Sequence, residues 1–355
     1  QYDQRESSVA WDEGVNIVGF IEKSFAPKNG LYLPKCPISS LFGKCELADF
    51  EVAHGTVLGS GGYGKVYLGK HRPTGMAVAL KQIQREKFNP RHVEHEETIH
   101  HSLSHPYISK FHCTMRDDAG NLFFAIEYIP GKNLGRRLGG RHGVTRATVQ
   151  KYVAEIVTAL EYLHAKCIVY RDLKASNILV SPKDHIKLID FGLSIYDCDD
   201  QLRGFAGTLE YAAPEMAAHQ NYGRAVDYYS LGILLFRLVT GRLPISRGDY
   251  NMDKREFLDF VARGFHFPST GDKIADDLIG HFCDRNIATR YGLNPATHKH
   301  IRNHPFFHGF NWNTLAKASF QEDVMVSFDQ LGLGESEMIT LDKLAGFDTD
   351  FDNSY

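Results

Sequence analysis

One stretch, YRDLKASN at 170–177, constrains this chain more than any other. It sets a carboxylate (Asp172), an amine (Lys174) and an amide (Asn177) at fixed spacing in a polar segment, directly after a helix-forming run. Asp172 can accept the proton of an attacking hydroxyl, and Lys174 can offset the charge of a migrating phosphoryl group. Asn177 can reach a magnesium ion through its amide oxygen. An Arg-Asp pair in a polar loop is common, so the stretch takes its weight from companions that flank it in a set order.

The chain of 355 residues is long for a single domain and suits a two-lobed body with extra tails. Hydrophobic residues at 43% and charged residues at 23% allow a full core. A net charge of −3 leaves no basic footprint for nucleic acid. No apolar run is long enough to cross a bilayer. The best, 231–239, is interrupted by Gly232 and Arg237 and reads as a buried helix. The start at Gln1 has no charged-then-apolar leader, so the chain is expected to be trimmed or processed. Cys36, Cys45, Cys113, Cys167, Cys198 and Cys283 lack paired spacing and are expected to be reduced thiols, neither a disulfide framework nor a zinc site. His101 and His105 have the i,i+4 spacing of a metal pair, but no matching second pair supports one, and a polar helix face is expected.

Residues 1–50, with Pro27, Pro34 and Pro37 and no sustained period, read as an irregular extension, packed if at all through Phe20, Phe25, Leu31 and Leu33. From Phe50 the pattern becomes strand, glycine turn, strand: FEVAHGTVL, GSGGYG, KVYLGKH. Gly59, Gly61 and Gly64 let backbone approach phosphate oxygens. The β-branched and aromatic residues after them make a hairpin rather than the helix of a dinucleotide fold. AVALK follows and ends in Lys81. Residues 91–104 are helical in composition, with Glu94, Glu96 and Glu97 as candidate partners for Lys81. NLFFAIEYIPG, 121–131, reads as a buried strand ending in a turn. In the helix after it, Val149, Tyr152, Val153, Ile156, Leu160 and Leu163 share one face. Asp190-Phe191-Gly192 comes after a short hairpin, then GTLEYAAPE at 207–215 and a long apolar helix from Ala225.

With these motifs placed, the chain resembles the AGC group of serine/threonine protein kinases over about residues 50–310, and looks most like the ribosomal-protein-kinase branch through LGSGGYGKV, HPFF and Asn311-Trp312. The resemblance implies an α+β bilobal fold: a small antiparallel β lobe with one helix (51–127), a hinge (128–132), a larger helical lobe (133–308) and a C-terminal tail (309–355). It implies ATP against Leu58, Gly59, Gly61, Gly64, Val66, Ala79, Lys81, Ile126, Glu127, Tyr128 and Leu179, with the backbone of Glu127 and Tyr128 facing the adenine edge. Asn177 and Asp190 would hold Mg2+. Asp172, Lys174, Asn177, Lys81, Glu96 and Thr208 would carry transfer to Ser or Thr of protein substrates. Glu96 is chosen over its neighbours because it lies ten residues before Pro106. Glu215 is expected to pair with Arg290, and Asp227 to tie the catalytic-loop backbone. A monomeric intracellular enzyme, cytoplasmic or nuclear, is implied; the alternative is a pseudokinase that binds nucleotide as a scaffold.

Four departures qualify the resemblance. Related kinases read an upstream arginine with three carboxylates, where this chain has Asn133, Ser176 and Arg237, so a preference for basic peptides is not expected. Gly204 stands where the activation segment carries its phosphorylated Thr, and Asp197, Asp199 or Asp200 are candidate substitutes as the partner of Arg171. Ser194 and Tyr196 lie too early to replace it. In the tail, Phe328 resembles the residue that lids the nucleotide, while Leu344, Phe347 and Phe351, with Asp348 as a built-in charge, read either as an imperfect aromatic docking motif or as a solvated disordered tail. His100, one turn after Glu96, reads either as a satisfied core histidine or as a pH-sensitive weak point.

Overall fold

The computed structural model describes residues 45–61, 64–87, 89–138, 144–245, 252–293, 295–317, 326–331 and 338–341. The expectations for residues 1–44 and for Leu344, Phe347, Asp348 and Phe351 lie outside these. Five strands rich in β-branched and aromatic residues build the small lobe: β1 (Phe50–Gly61), β2 (Gly64–His71), β3 (Met76–Ile83), β4 (Phe111–Arg116) and β5 (Leu122–Glu127). They pair antiparallel, β1 to β2 to β3 to β5 to β4. One face buries Phe50, Val52, Val78, Leu80, Met115 and Phe123. On another, Val93 of helix α1 (Pro90–His101) packs with Ile83, Leu122 and Phe124. Glu96 is buried as a result.

The large lobe contains α2 (Leu134–Leu138), α3 (Arg146–Ala165), the short strands β6 (Ile168–Val169), β7 (Ile178–Val180), β8 (Ile186–Leu188) and β9 (Ile195–Tyr196), and then α4 (Pro214–Ala217), α5 (Ala225–Thr240), α6 (Lys254–Arg263), α7 (Lys273–Phe282), α8 (Pro295–Asn303) and α9 (Asn313–Lys317). Thr145 caps α3 by accepting from the Thr148 amide at 3.2 Å, and the stripe from Val149 to Leu163 is buried in the main core. Each such aliphatic contributes roughly 1.5–3 kcal/mol by leaving water. Helix α5 is apolar nearly all round and is accordingly buried; it ends at Gly241, whose left-handed φ of +78° lets its N–H reach the Arg237 carbonyl at 2.8 Å. Glu215 and Arg290 form a buried two-pronged ion pair at 2.6 and 3.0 Å.

Two features depart from expectation. Cys45–Cys113 and Cys167–Cys198 are disulfides rather than reduced thiols; Cys283 is free and buried, and Cys36 lies outside the described residues. The pairs are 68 and 31 residues apart, so spacing gives no hint of them. The second is brought together by β6 pairing with β9, where the Asp197 amide donates to the Cys167 carbonyl at 2.7 Å. The other departure is in the tail. Residues Met338–Thr340 form β10, which pairs antiparallel with β1 through Glu51, Val52 and Ala53, so the small sheet has a strand from the far end of the body. Just before it, Phe328 is buried with Ala53, Leu68 and Ala77, and the hinge residue Tyr128 packs against the same cluster. The Phe328 amide donates to the Gly75 carbonyl at 2.9 Å, and Lys70 pairs with Asp329 at 2.9 Å.

Candidate active site

The Tyr170–Arg171 backbone is fixed from below. Buried Asp227, on α5, accepts from the Tyr170 and Arg171 amides at 2.9 and 2.8 Å, and the His164 ring contacts the same carboxylate at 2.8 Å. Asp172 then stands in a closed ring of contacts. Asn177 Nδ2 donates to its Oδ2 at 2.8 Å, Lys174 Nζ lies 2.8 Å from the same oxygen, and Thr208 Oγ1 donates to Oδ1 at 2.8 Å. Lys174 also donates to Thr208 Oγ1 at 2.8 Å. Thr208 comes from a distant segment, and Gly207 makes its approach possible. A Cβ on Gly207, at φ +104°, would fall 2.4 Å from the Arg171 carbonyl oxygen. His164 was not among the residues singled out by sequence, because a histidine at the end of an amphipathic helix carries no signal of its partner.

Lys81, Glu96 and Asp190 form the second group. Lys81 Nζ lies 2.6 Å from Glu96 Oε1 and 3.0 Å from Asp190 Oδ1. Burial alone would lower the lysine pKa, but the two carboxylates outweigh it and hold it above the ordinary range, so Lys81 is a cation. The charge of Lys81 in turn holds Asp190 below the usual carboxylate range, so Asp190 is an anion. A ladder of rings backs this group: Phe111 to His100 at 5.4 Å, His100 to Phe191 at 4.6 Å, Phe191 to Tyr170 at 5.3 Å. His100 is fully buried, with Nε2 bonded to the Ser109 carbonyl at 2.7 Å and Nδ1 without a partner; burial pushes its pKa down to about 4, so it is neutral.

The glycine hairpin and the hinge border the remaining cleft. Gly61 faces Gly64 at the hairpin end, Gly59 faces Val66, and Val66 faces Lys81 across β2 and β3. Open space surrounds Gly59, whereas a Cβ on Gly64 would meet the Gln82 carbonyl oxygen at 2.0 Å. Leu58 is 43% exposed. Ala79 lies between Leu68 and Ile126 in the sheet, and Leu179 forms a bridge with Asn133. At the hinge, the Glu127 N–H is already given to the Lys110 carbonyl at 2.8 Å, which leaves that residue's carbonyl, not its amide, for a ligand. The Glu127 carboxylate is tied to Lys187 at 3.0 Å, a link across 60 residues that the sequence does not display.

A family model described as "Protein kinase domain" matches residues 52–307. The chain belongs to the protein kinase family. The kinase is 32% identical over 287 residues to the RAC-beta serine/threonine-protein kinase of Rattus norvegicus, covering 79% of this chain and 58% of the relative. It is 33% identical over 283 residues to ribosomal protein S6 kinase alpha-2 of Homo sapiens, covering 77% and 38%. Against ribosomal protein S6 kinase alpha-6 of Danio rerio the identity is 33% over 289 residues, covering 78% and 38%. With such relatives it falls in the AGC group. The kinase spans between 38% and 58% of the length of these relatives.

The activation segment of the kinase is ordered by means other than the acids proposed for it. Arg171 donates to the Leu193 carbonyl at 2.6 Å and to Tyr222 OH at 3.3 Å, and none of Asp197, Asp199 and Asp200 reaches it. Asp197 instead accepts from the Asp199 and Gln201 amides, and Asp200 pairs with Arg224 at 3.2 Å. Asp197 is spent on donors of its own turn and Asp200 on Arg224, so neither is left to span to the catalytic loop. Leu202 and Tyr222 exchange backbone bonds at 2.9 and 3.0 Å, and Arg203 donates to Asn221. Ser194 is buried, donating to the Tyr170 carbonyl, and Tyr196 meets Ser102.

The histidine pair considered as a metal site is accounted for by packing: His105 stacks on Tyr162 at 4.9 Å and His101 meets the edge of Phe111. Asp277, His281 and His304 do bring three donors together. His304 Nδ1, however, accepts from the Phe306 amide, which places its proton on Nε2 facing Asp277 at 3.0 Å. That nitrogen therefore has no lone pair for an ion.

Proposed function

We propose that the kinase transfers the γ-phosphoryl group of ATP to Ser or Thr hydroxyls of protein substrates. The observation that carries this reading is the ring around Asp172, with Asn177, Lys174 and Thr208 all bonded to one carboxylate. Those three contacts aim Asp172 as acceptor of the incoming hydroxyl's proton, while Lys174 stands ready for the charge that moves with the phosphoryl group. Lys81, held cationic between Glu96 and Asp190, is the group to meet ATP phosphate oxygens, and the exposed backbone at Gly59 gives them access. The site fits a magnesium ion: Asp190 is an anion with its side chain 48% exposed, and Asn177 spends its amide nitrogen on Asp172, leaving its oxygen as the ligand. When bound, magnesium neutralises phosphate charge.

Two finer points belong to this reading. Turnover does not depend on a phosphate in the activation segment, supported by the bonds that fix 197–203 to 221–224 without one. Basic peptides are not preferred, supported by Asn133, Ser176 and Arg237 standing where acids would be needed. A monomer acting inside the cell completes it. No described helix is long and apolar enough to cross a membrane. The two disulfides are at odds with a reducing compartment, and alkylation of protein quenched in acid straight from cells reads their state.

The test is γ-phosphate transfer from Mg-ATP to a degenerate Ser/Thr peptide library, with Asp190→Asn as control. Transfer that the control loses establishes the reading. Nucleotide that raises the melting temperature with no transfer replaces it with the scaffold alternative.

A further inference from the structure

Arg237 is half-buried near the C-terminal end of α5, and its Nη1 donates to Tyr211 OH at 2.9 Å. Its Nη2 lies 3.7 Å from the point where a side chain on Gly135 would begin. That same point is 3.4 Å from Asn133 Oδ1 and 3.7 Å from the Ala175 Cβ. The guanidinium therefore enters a notch bounded by the start of α2, the turn after Asp172 and the end of the activation segment. Ala175 is three residues after Asp172, and Thr208, bonded to Asp172, is three before Tyr211. A chain laid across the notch has its acceptor hydroxyl within a few residues of Arg237, at about 3.3 Å of reach per residue.

The notch holds no counter-charge for this cation among the described residues. Among the described residues no carboxylate lies within ion-pair distance of Arg237, and Glu210, next to Tyr211, does not reach it. Asn133 is neutral and spends its Oδ1 on the Arg136 amide at 2.8 Å; Ser176 is exposed and neutral. A guanidinium has five N–H donors in a planar fork that matches a carboxylate or phosphate on two prongs, and Tyr211 uses one of them. A Cβ on residue 135 would already touch Asn133, Ala175 and Arg237, so glycine there keeps a small gap beside the guanidinium that a larger residue would fill.

We propose that Arg237 is a specificity residue which selects protein substrates carrying an acidic side chain, Asp, Glu or a phosphorylated residue, within a few positions of the acceptor. The inference rests on the kinase reading above and specifies its substrate class. Bound peptide supplies the missing anion, and a basic residue at that position meets a fixed like charge.

The test uses the full chain and peptides that differ at one position only, set in turn from five before to three after the acceptor to Asp, phosphoserine, Ala or Arg. One readout is kcat/KM with Mg-ATP. The second is anisotropy binding of the same peptides with the acceptor Ser changed to Ala, which needs no turnover. At one position Asp or phosphoserine is expected to exceed Ala by about tenfold or more, the range of a charge-assisted hydrogen bond, and Arg to fall below Ala. Arg237→Gln is expected to remove the acidic advantage, Arg237→Glu to reverse it toward Arg, and Arg237→Lys to keep part of it, each variant checked for an unchanged melting temperature. Equal binding of all four peptides, a preference for Arg, or an acidic preference that survives Arg237→Gln overturns the inference. Absence of transfer to every peptide refutes the kinase reading instead, and the binding series still decides between acid and base.

Discussion

Replacing Thr208 by Val tests how much of the proposed transfer chemistry depends on aiming Asp172. The substitution keeps the shape and removes one hydroxyl, which donates to Asp172 Oδ1 and accepts from Lys174, both at 2.8 Å. Asp172 keeps Asn177 and Lys174, and Lys174 keeps Asp172, so no charge is left unpaired. The loss is thus two hydrogen bonds to charged side chains, of which the one that aims Asp172 is worth about 1.5–3 kcal/mol, rather than the larger cost of an orphaned charge. If that bond persists in the transition state, kcat falls by about ten- to a hundredfold, since each 1.36 kcal/mol is a factor of roughly ten. Thr208→Ser keeps the bond and should stay within about threefold of the parent. Initial rates of transfer at saturating Mg-ATP give the numbers, with nucleotide-induced stabilisation as a check that the ATP cleft is unaffected. A full-rate Val variant, or a Ser variant as slow as Val, refutes the reasoning, because the first removes the role of the hydroxyl and the second assigns it to the methyl group.

Other perturbations follow from the same contacts. Glu215→Ala strands Arg290, which is 0% exposed, and should cost about 3–5 kcal/mol in urea unfolding; Glu215→Ala with Arg290→Met together should cost less than the single change. Cys198→Ser opens a ring spanning 31 residues, worth about 3–4 kcal/mol in the chain-entropy account, and amide exchange over 195–203 should quicken. His100 has a folded pKa of about 4 against 6.5 in the unfolded chain, so below pH 6.5 the unfolded state takes up a proton that the folded state refuses. Stability is therefore fullest above pH 6.5 and falls as pH drops toward 4, by up to about 1.4 kcal/mol per pH unit for this one group. His100→Leu should flatten that slope by about one proton. His105 and His112, depressed by burial to about 4 and about 3, add slope of the same sign that the variant leaves in place.

The sequence made legible those parts of the site whose chemistry demands particular atoms at particular spacings. Asp172, Lys174 and Asn177 lie in one turn, so their register alone brings them together, and Glu96 could be picked from three acids by its ten-residue distance from Pro106, a spacing shared with related kinases. What stayed hidden depends on distances between segments. Arg171 seemed to need an anion because a phosphate had been lost, but a carbonyl and a tyrosine hydroxyl satisfy it, and neither has a residue-type signal. The Cys167–Cys198 bond follows from β6 meeting β9, each only two residues long and invisible to periodicity. Likewise, sequence favoured a core histidine at His100 over a weak point but could name neither its bond to Ser109 nor its contact with the Phe191 ring.

The pairing of β10 with β1 bears on how the kinase is made. Glu51 lies against Thr340, so the outer edge of the small sheet waits for residues synthesised 289 positions later. At about 5–20 residues per second on the ribosome, β1 is exposed for roughly 15–60 s before its neighbour exists. An open edge of that kind is a template for pairing with other chains. The small lobe is thus begun first and finished last. A nascent chain that has not reached residue 338 has its large lobe in hand while one edge of β1, the edge away from β2, is still without its partner.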